Sequence, residues 1–207
     1  MLAIVDYGVG NLFSLKCSLR AIGQKAVVTA DPQQIRSADR VILPGVGAFG
    51  DAADRLARSG LGAVVKQAAA AGKPLMGICL GMQLLFEESC EFGDHRGLGL
   101  IPGRVRPIQE AIPAGLKVPH MGWNALIVKK TGDPLLRYIH DGDCVYFVHS
   151  FYASDCAKST VATCEYDAEL TALVRNKNVC GCQFHPEKSG NVGLNILRAF
   201  CEEEILC

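Results

Sequence analysis

The residues best suited to covalent chemistry lie in Leu75-Met76-Gly77-Ile78-Cys79-Leu80-Gly81-Met82-Gln83. An apolar run ends in G-x-C-x-G and predicts a strand turning sharply into an amphipathic helix, the elbow that presents nucleophilic serines, here with cysteine. Side chains two positions to either side of Cys79 would collide in such a turn, so Gly77 and Gly81 satisfy a steric demand. A thiol at a helix N-terminus also feels the positive end of the helix dipole, which favours the reactive thiolate. A nucleophilic cysteine needs a base, and the chain has five histidines, 95, 120, 140, 149 and 185. His185 stands in Gln183-Phe184-His185-Pro186-Glu187. In extended backbone, Glu187 would point the same way and orient the ring, giving a nucleophile, base and orienter set. The third element, Leu43-Pro44-Gly45-Val46-Gly47, is a strand running into a glycine-rich turn. Its backbone N–H groups, with that of Leu80, suit an oxyanion hole. Taken singly, each segment has an ordinary reading: a packed cysteine, a strand-ending turn, a flexible loop.

The elements that must position these groups follow an alternating cadence. Strands are expected at Leu2–Asp6, Lys25–Thr29, Arg40–Leu43 and Pro74–Cys79. Helices are expected at Asn11–Ile22, Pro32–Ser37, Asp51–Arg58, Ala63–Ala71 and Met82–Glu88. The strands are continuous apolar runs, as in parallel sheets buried on both faces. After Gly97, shorter segments at Arg104–Pro107, Ala125–Lys129, Val145–Tyr152, Thr160–Glu165, Leu170–Arg175 and Val179–Phe184 suggest antiparallel strands, and a helix from Val192 to Glu202 follows. The expected fold is therefore α/β: a layered, mostly parallel sheet flanked by helices, with an antiparallel extension, in one domain over residues 1–207. In an open parallel sheet the Cys79 elbow and the Pro44–Gly47 turn share the carboxyl edge, where such sheets bind ligands.

Composition removes several other functions. The 207 residues carry 21 Lys+Arg and 21 Asp+Glu, with no basic block, so nothing favours a nucleic-acid or anionic-membrane surface. The 13 residues between Lys73 and Glu87 form the longest uncharged stretch, short of the ~20 a membrane span needs. A soluble, cytoplasmic protein is expected. Asp6-Tyr7-Gly8-Val9-Gly10-Asn11 begins like a dinucleotide fingerprint, but Phe13 occupies the third glycine position. Ten cysteines in irregular positions contain no C-x-x-C pair, so neither a metal nor a redox site is expected. Apart from Cys79 they read as reduced, inert packing residues, with Cys180 and Cys182 facing one side as buried hydrophobes.

Together these segments resemble the class I glutamine amidotransferases, whose triad is an elbow cysteine with the histidine and glutamate of H-P-E. The resemblance covers essentially the whole chain. Asp6-Tyr7-Gly8-Val9-Gly10-Asn11, Pro44-Gly45-Val46-Gly47, Pro119-His120-Met121-Gly122-Trp123-Asn124 and Phe147-Val148-His149-Ser150-Phe151-Tyr152 point to the branch of glutaminase subunits serving imidazole glycerol phosphate formation. The resemblance implies Cys79 as nucleophile, His185 as base and acid, and Glu187 as orienter. Gly45, Val46, Gly47 and Leu80 would form the oxyanion site, and Gln83, Glu91, Ser150 and Phe151 would hold L-glutamine. Met121, Trp123, Tyr146 and Lys188 would face a (β/α)8-barrel cyclase subunit as a heterodimer. His149 would be a neighbour of the substrate loop, and no cofactor is implied.

Overall fold

The computed structural model describes residues 1–202. Its frame is an eight-stranded sheet. The strands in chain order are β1 (Leu2–Val5), β2 (Ala26–Thr29), β3 (Arg40–Gly45), β4 (Leu75–Cys79), β5 (Glu88–Ser89), β6 (His95–Arg96), β7 (Arg104–Pro107), β8 (His120–Ala125), β9 (Ile127–Val128), β10 (Cys144–His149), β11 (Phe151–Ser154), β12 (Thr160–Glu165), β13 (Glu169–Asn176) and β14 (Val179–Cys182). The main sheet has the order β2-β1-β3-β4-β14-β13-β12-β9. Pairings from β2 to β14 are parallel, and those from β14 to β9 antiparallel. The α/β expectation with an antiparallel extension is borne out. Two smaller sheets, β10-β8 and β11-β7-β5-β6, lie beside it.

Period-two alternation along the parallel strands divides the core. Ile4, Ile42, Met76 and Ile78 face one layer, with Leu15 and Leu19 of α1 (Leu12–Ala21) and Ile196, Leu197 and Phe200 of α6 (Gly190–Glu202). Val5, Val41, Leu43 and Leu75 face the other, against α2 (Pro32–Ser37), α3 (Phe49–Arg58) and α4 (Leu61–Ala70). Both faces of the central strands are thus dry, which is why those strands read as unbroken apolar runs.

Several expectations need correction. The helix expected over Met82–Glu88 is a single turn, α5 (Leu80–Gln83). Gly81 through Phe86 are all buried, so the segment has no solvent face, and its carbonyls are used elsewhere. Leu84 O, Leu85 O and Phe86 O accept N–H groups from Leu98, Leu100 and Gly99. That capture ends the helix after one turn. The strand expected over Val145–Tyr152 is two strands, β10 and β11, which belong to different sheets and break at Ser150. Of the strand expected over Ala125–Lys129, only Ile127–Val128 form β9, while Ala125 ends β8, a strand over His120–Ala125 that was not expected. Glu187 lies in a 3-10 turn, Pro186–Lys188, rather than in extended chain, with Pro186 opening the turn.

The cysteines need correction too. Cys180 and Cys182 are buried as expected, but Cys17, Cys90 and Cys144 are exposed, and Cys207 lies outside the described residues. No described cysteine is in a disulfide.

Candidate active site

The site begins at the end of β4. Cys79 adopts φ 53° and ψ −115°, a conformation a non-glycine residue holds only when its surroundings impose it. The glycines on either side supply that constraint. A Cβ on Gly77 would lie 2.6 Å from Gly81 O, and one on Gly81 would lie 1.8 Å from Leu43 O on the neighbouring strand. Only bare backbone allows strand, turn and β3 to approach this closely. With one turn of helix beyond it, Cys79 gains little from a helix dipole. Its polar surroundings come from side chains instead.

His185 stands beside Cys79 in one cavity. Its Nδ1 lies 2.9 Å from Glu187 Oε1, and both the His185 and Glu187 side chains are 3% exposed. Burial works to lower the imidazole's pKa. The hydrogen bond to Glu187 and the proximity of Cys79 outweigh it and push the value up to about 9. The ring is held by its backbone as well. His185 N–H donates to Tyr146 O at 3.0 Å, and Ser189 Oγ donates to His185 O at 2.6 Å. In turn Tyr146 N–H donates to Ser189 Oγ at 2.9 Å. The 3-10 turn achieves what extended chain was expected to do, bringing residue i+2 back beside residue i.

Gly45 is the register partner of Cys79 across the β3–β4 pair, so the glycine-rich turn begins level with the thiol. A Cβ on Gly45 would meet Gly81 N at 2.7 Å and Tyr7 Oη at 2.8 Å. Val46 and Gly47 are exposed, and Gly47 sits at φ +100°, in the left-handed region glycine accepts. A cavity of ≈ 330 Å³ gathers Val46, Gly47, Cys79, Leu80, Gln83, Glu91, Ser150, Phe151, His185 and Lys188. Every expected catalytic, oxyanion and substrate residue except Gly45 and Glu187 lines it, and those two adjoin Cys79 and His185, which do. A larger hollow of ≈ 730 Å³ lies at Leu2, Ala26 and Arg40, the residues that open β1, β2 and β3. That is the amino edge of the sheet, opposite the chemistry.

Around the cavity, Glu91 Oε2 accepts the N–H of Phe49 at 2.7 Å, and burial raises its pKa. Gln83 Nε2 donates to Phe151 O at 3.1 Å and to Gln183 Oε1 at 3.0 Å. Phe151 pairs with Pro107 across β11–β7, and proline has no N–H to offer that carbonyl. The carbonyl takes instead Gln83 and the Nδ1–H of His149, at 2.8 Å. His149 lines the cavity, but burial drives its pKa down to about 3, so it stays neutral beside the more basic His185.

Met121 and Trp123 are 65% and 59% exposed on β8, with Trp123 edge-on to Tyr146 at 6.2 Å between ring centroids. Lys188 Nζ lies 5.9 Å from the Tyr146 ring centroid. The four expected contact residues form one aromatic and cationic patch beside the mouth of the cavity. No group of three metal-ligating side chains occurs among the described residues. No described helix is long and apolar enough to cross a membrane.

Sequence reasoning missed Tyr7, His120 and Gln183. Tyr7 Oη donates to Pro44 O at 2.8 Å and lies near Cys79; burial, then the Cys79 charge, raise its pKa. His120 Nδ1 is 3.0 Å from His149 Nε2. Gln183 reaches the thiol itself. The usable signal was position: Tyr7 follows a parallel strand at its carboxyl end, and Gln183 stands two residues before His185.

Comparison with known proteins agrees with this geometry. The profile of the family described as glutamine amidotransferase class-I matches residues 3–203. The chain is 46% identical over 204 residues to a Wolinella succinogenes protein named imidazole glycerol phosphate synthase subunit HisH, covering 98% of this chain and 99% of that one. A Bacillus cereus protein of the same name is 48% identical over 201 residues, covering 97% and 93%. A solved structure described as a glutamine amidotransferase superimposes with a TM-score of 0.75 over 97% of both chains at 20% identity, a likeness of fold.

Proposed function

The chain belongs to the class I glutamine amidotransferase family, and from that premise we propose that it is the glutaminase subunit of an imidazole glycerol phosphate synthase, acting in histidine biosynthesis. The observation that carries the reading is the buried His185–Glu187 pair, set beside an elbow cysteine with His185 and Cys79 lining one cavity. Cys79 Sγ attacks the side-chain carboxamide carbon of L-glutamine. Charge developing on the carbonyl oxygen is met by N–H groups of Leu80 and of the Gly45–Gly47 turn. His185, protonated below about pH 9, gives its proton to the departing ammonia and then draws one from the water that hydrolyses the glutamyl thioester. Glu187 holds the ring and offsets its charge.

Gln83, Glu91, Ser150 and Phe151 hold the α-amino and carboxylate end of the substrate. Gln83 uses both amide hydrogens within the protein, so its Oε1 is left to accept from the substrate ammonium. Released ammonia passes to a (β/α)8-barrel cyclase subunit, which docks on Met121, Trp123, Tyr146 and Lys188 and forms imidazole glycerol phosphate and aminoimidazole carboxamide ribotide. The exposed Trp123, edge-on to the half-buried Tyr146, supports this surface, since aromatic anchors dominate interface energetics. The test is glutamate production by the complex of this chain with a cyclase subunit and its nucleotide substrate. Cys79→Ala is expected to abolish it, and wild-type activity in that variant would remove Cys79 from the mechanism.

A further inference from the structure

We infer that the carboxamide of Gln183 is an obligate hydrogen-bond donor to Cys79 Sγ, stabilising the thiolate, and that the backbone carbonyl of Phe151 dictates its direction through Gln83. The inference rests on Cys79 being the nucleophile proposed above.

Gln183 follows β14 immediately and is fully buried. Its Nε2 lies 3.7 Å from Cys79 Sγ, within the range of a hydrogen bond to sulfur. A side-chain amide can be turned end for end, so the sense of this contact must come from its neighbours. It does. A carbonyl oxygen only accepts, so Phe151 O requires the NH₂ of Gln83. That NH₂ has two hydrogens, and the second is directed at Gln183. The Gln183 atom facing Gln83 is therefore its oxygen, which leaves the Gln183 NH₂ facing the sulfur. Reversing Gln183 would set two NH₂ groups against each other in a buried site and turn a carbonyl oxygen towards the nucleophile. Both are costly in a buried site.

A donor on Sγ is worth more to a thiolate than to a thiol, because hydrogen bonds to charged groups are the stronger ones. The other titratable groups around the sulfur are His185, Glu187 behind it, Tyr7 and Cys182. Tyr7 and Cys182 are both held neutral, chiefly by burial, and His149 beyond His185 is neutral as well. Thiolate stabilisation thus comes from two directions, the imidazole of His185 and the amide of Gln183. The Gln183 side of the site is continuous with Gln83 and Phe151, which line the cavity.

The test is the pH dependence of Cys79 alkylation by iodoacetamide in the full chain, followed on the Cys79 peptide by mass spectrometry. Gln183→Met keeps length and loses the donor. It is expected to raise the alkylation midpoint by about one pH unit, about a tenfold loss of thiolate below the midpoint. Gln183→Glu keeps the acceptor for Gln83 and adds a negative charge, and is expected to raise it further. In the wild-type chain, the side-chain ¹⁵N–¹H signals of Gln183 are expected to shift with the same midpoint as Cys79, a readout that needs no variant. An unchanged midpoint in a folded Gln183→Met or Gln183→Glu chain, or Gln183 signals indifferent to the Cys79 titration, overturns the inference. Glutamate production by Cys79→Ala would sink the proposed function, and the midpoint would still decide the Gln183 contact.

Discussion

Gly81 in the turn after β4 packs against Leu43 on β3 so closely that a Cβ on Gly81 would lie 1.8 Å from the Leu43 carbonyl oxygen. The obstacle is backbone on one strand meeting backbone on another, so no rotamer change relieves it. Gly81→Ala is expected to cost at least about 3 kcal/mol, lowering Tm by roughly 6–12 °C. Gly62→Ala in α4 is the control, since its added Cβ has no heavy atom nearer than 3.5 Å. That variant is expected to be neutral or to gain up to about 1 kcal/mol. Urea unfolding of the two variants checks the contrast.

Glu187→Gln tests the orientation of His185. The imidazole's pKa is raised to about 9, with Glu187 among the causes, so its protonated form is present below that value and lost as pH rises through it. Wild-type glutaminase activity is therefore expected to hold to about pH 9 and fall above it. Neutralising Glu187 lowers the folded pKa towards the ordinary value, which moves the alkaline limb to lower pH. Activity at neutral pH should drop about 10²-fold or more. A pH–rate profile that keeps its alkaline limb in the variant would contradict this.

His149 predicts how stability responds to acid. Its folded pKa is depressed to about 3, so between about pH 6.5 and 3 the unfolded chain binds a proton that the folded chain refuses. Stability must fall as pH drops below about 6.5. His120, lowered by burial, adds to the same trend. The contribution of His185 has the opposite sign and is fully present below about 6.5, so it adds no slope there. Urea unfolding free energy is expected to decline by on the order of 2 kcal/mol for His149 between pH 6.5 and pH 5. His149→Gln, which does not protonate, should flatten that decline.

Trp123→Ala separates docking from folding. The ring is 59% exposed and packs edge-on to Tyr146, so its removal should leave the Tm of the isolated chain within about 2 °C. Affinity for the cyclase subunit is expected to fall at least about 30-fold, the scale of an aromatic hot spot. Titration calorimetry with the partner measures the second effect, and unchanged affinity would move the interface elsewhere.

Residue type and local spacing were sufficient for the parallel strands β1 to β4 and for naming the groups that could react, but not for β14, expected among the antiparallel strands and found parallel to β4. Strands buried on both faces leave unbroken apolar runs, and the elbow glycines, His185 and Glu187 lie within a few residues of one another or of Cys79. Local pattern did not show where the helix after the elbow stops, because Leu84, Leu85 and Phe86 lose their carbonyls to residues 98–101, distant in sequence from the turn they interrupt. Nor did it show that Val145–Tyr152 breaks at Ser150, since both halves have strand-forming sequences and only their partners, β8 and β7, differ. Gln183 was visible as a letter in Gln-Phe-His-Pro-Glu and had no role until Gln83 and Phe151 were brought beside it. Sequence determined which groups could react, because reactivity depends on residue type and near neighbours. The tertiary structure decided how they are protonated and oriented, because burial and hydrogen-bond direction are set by residues that meet only when the chain is folded.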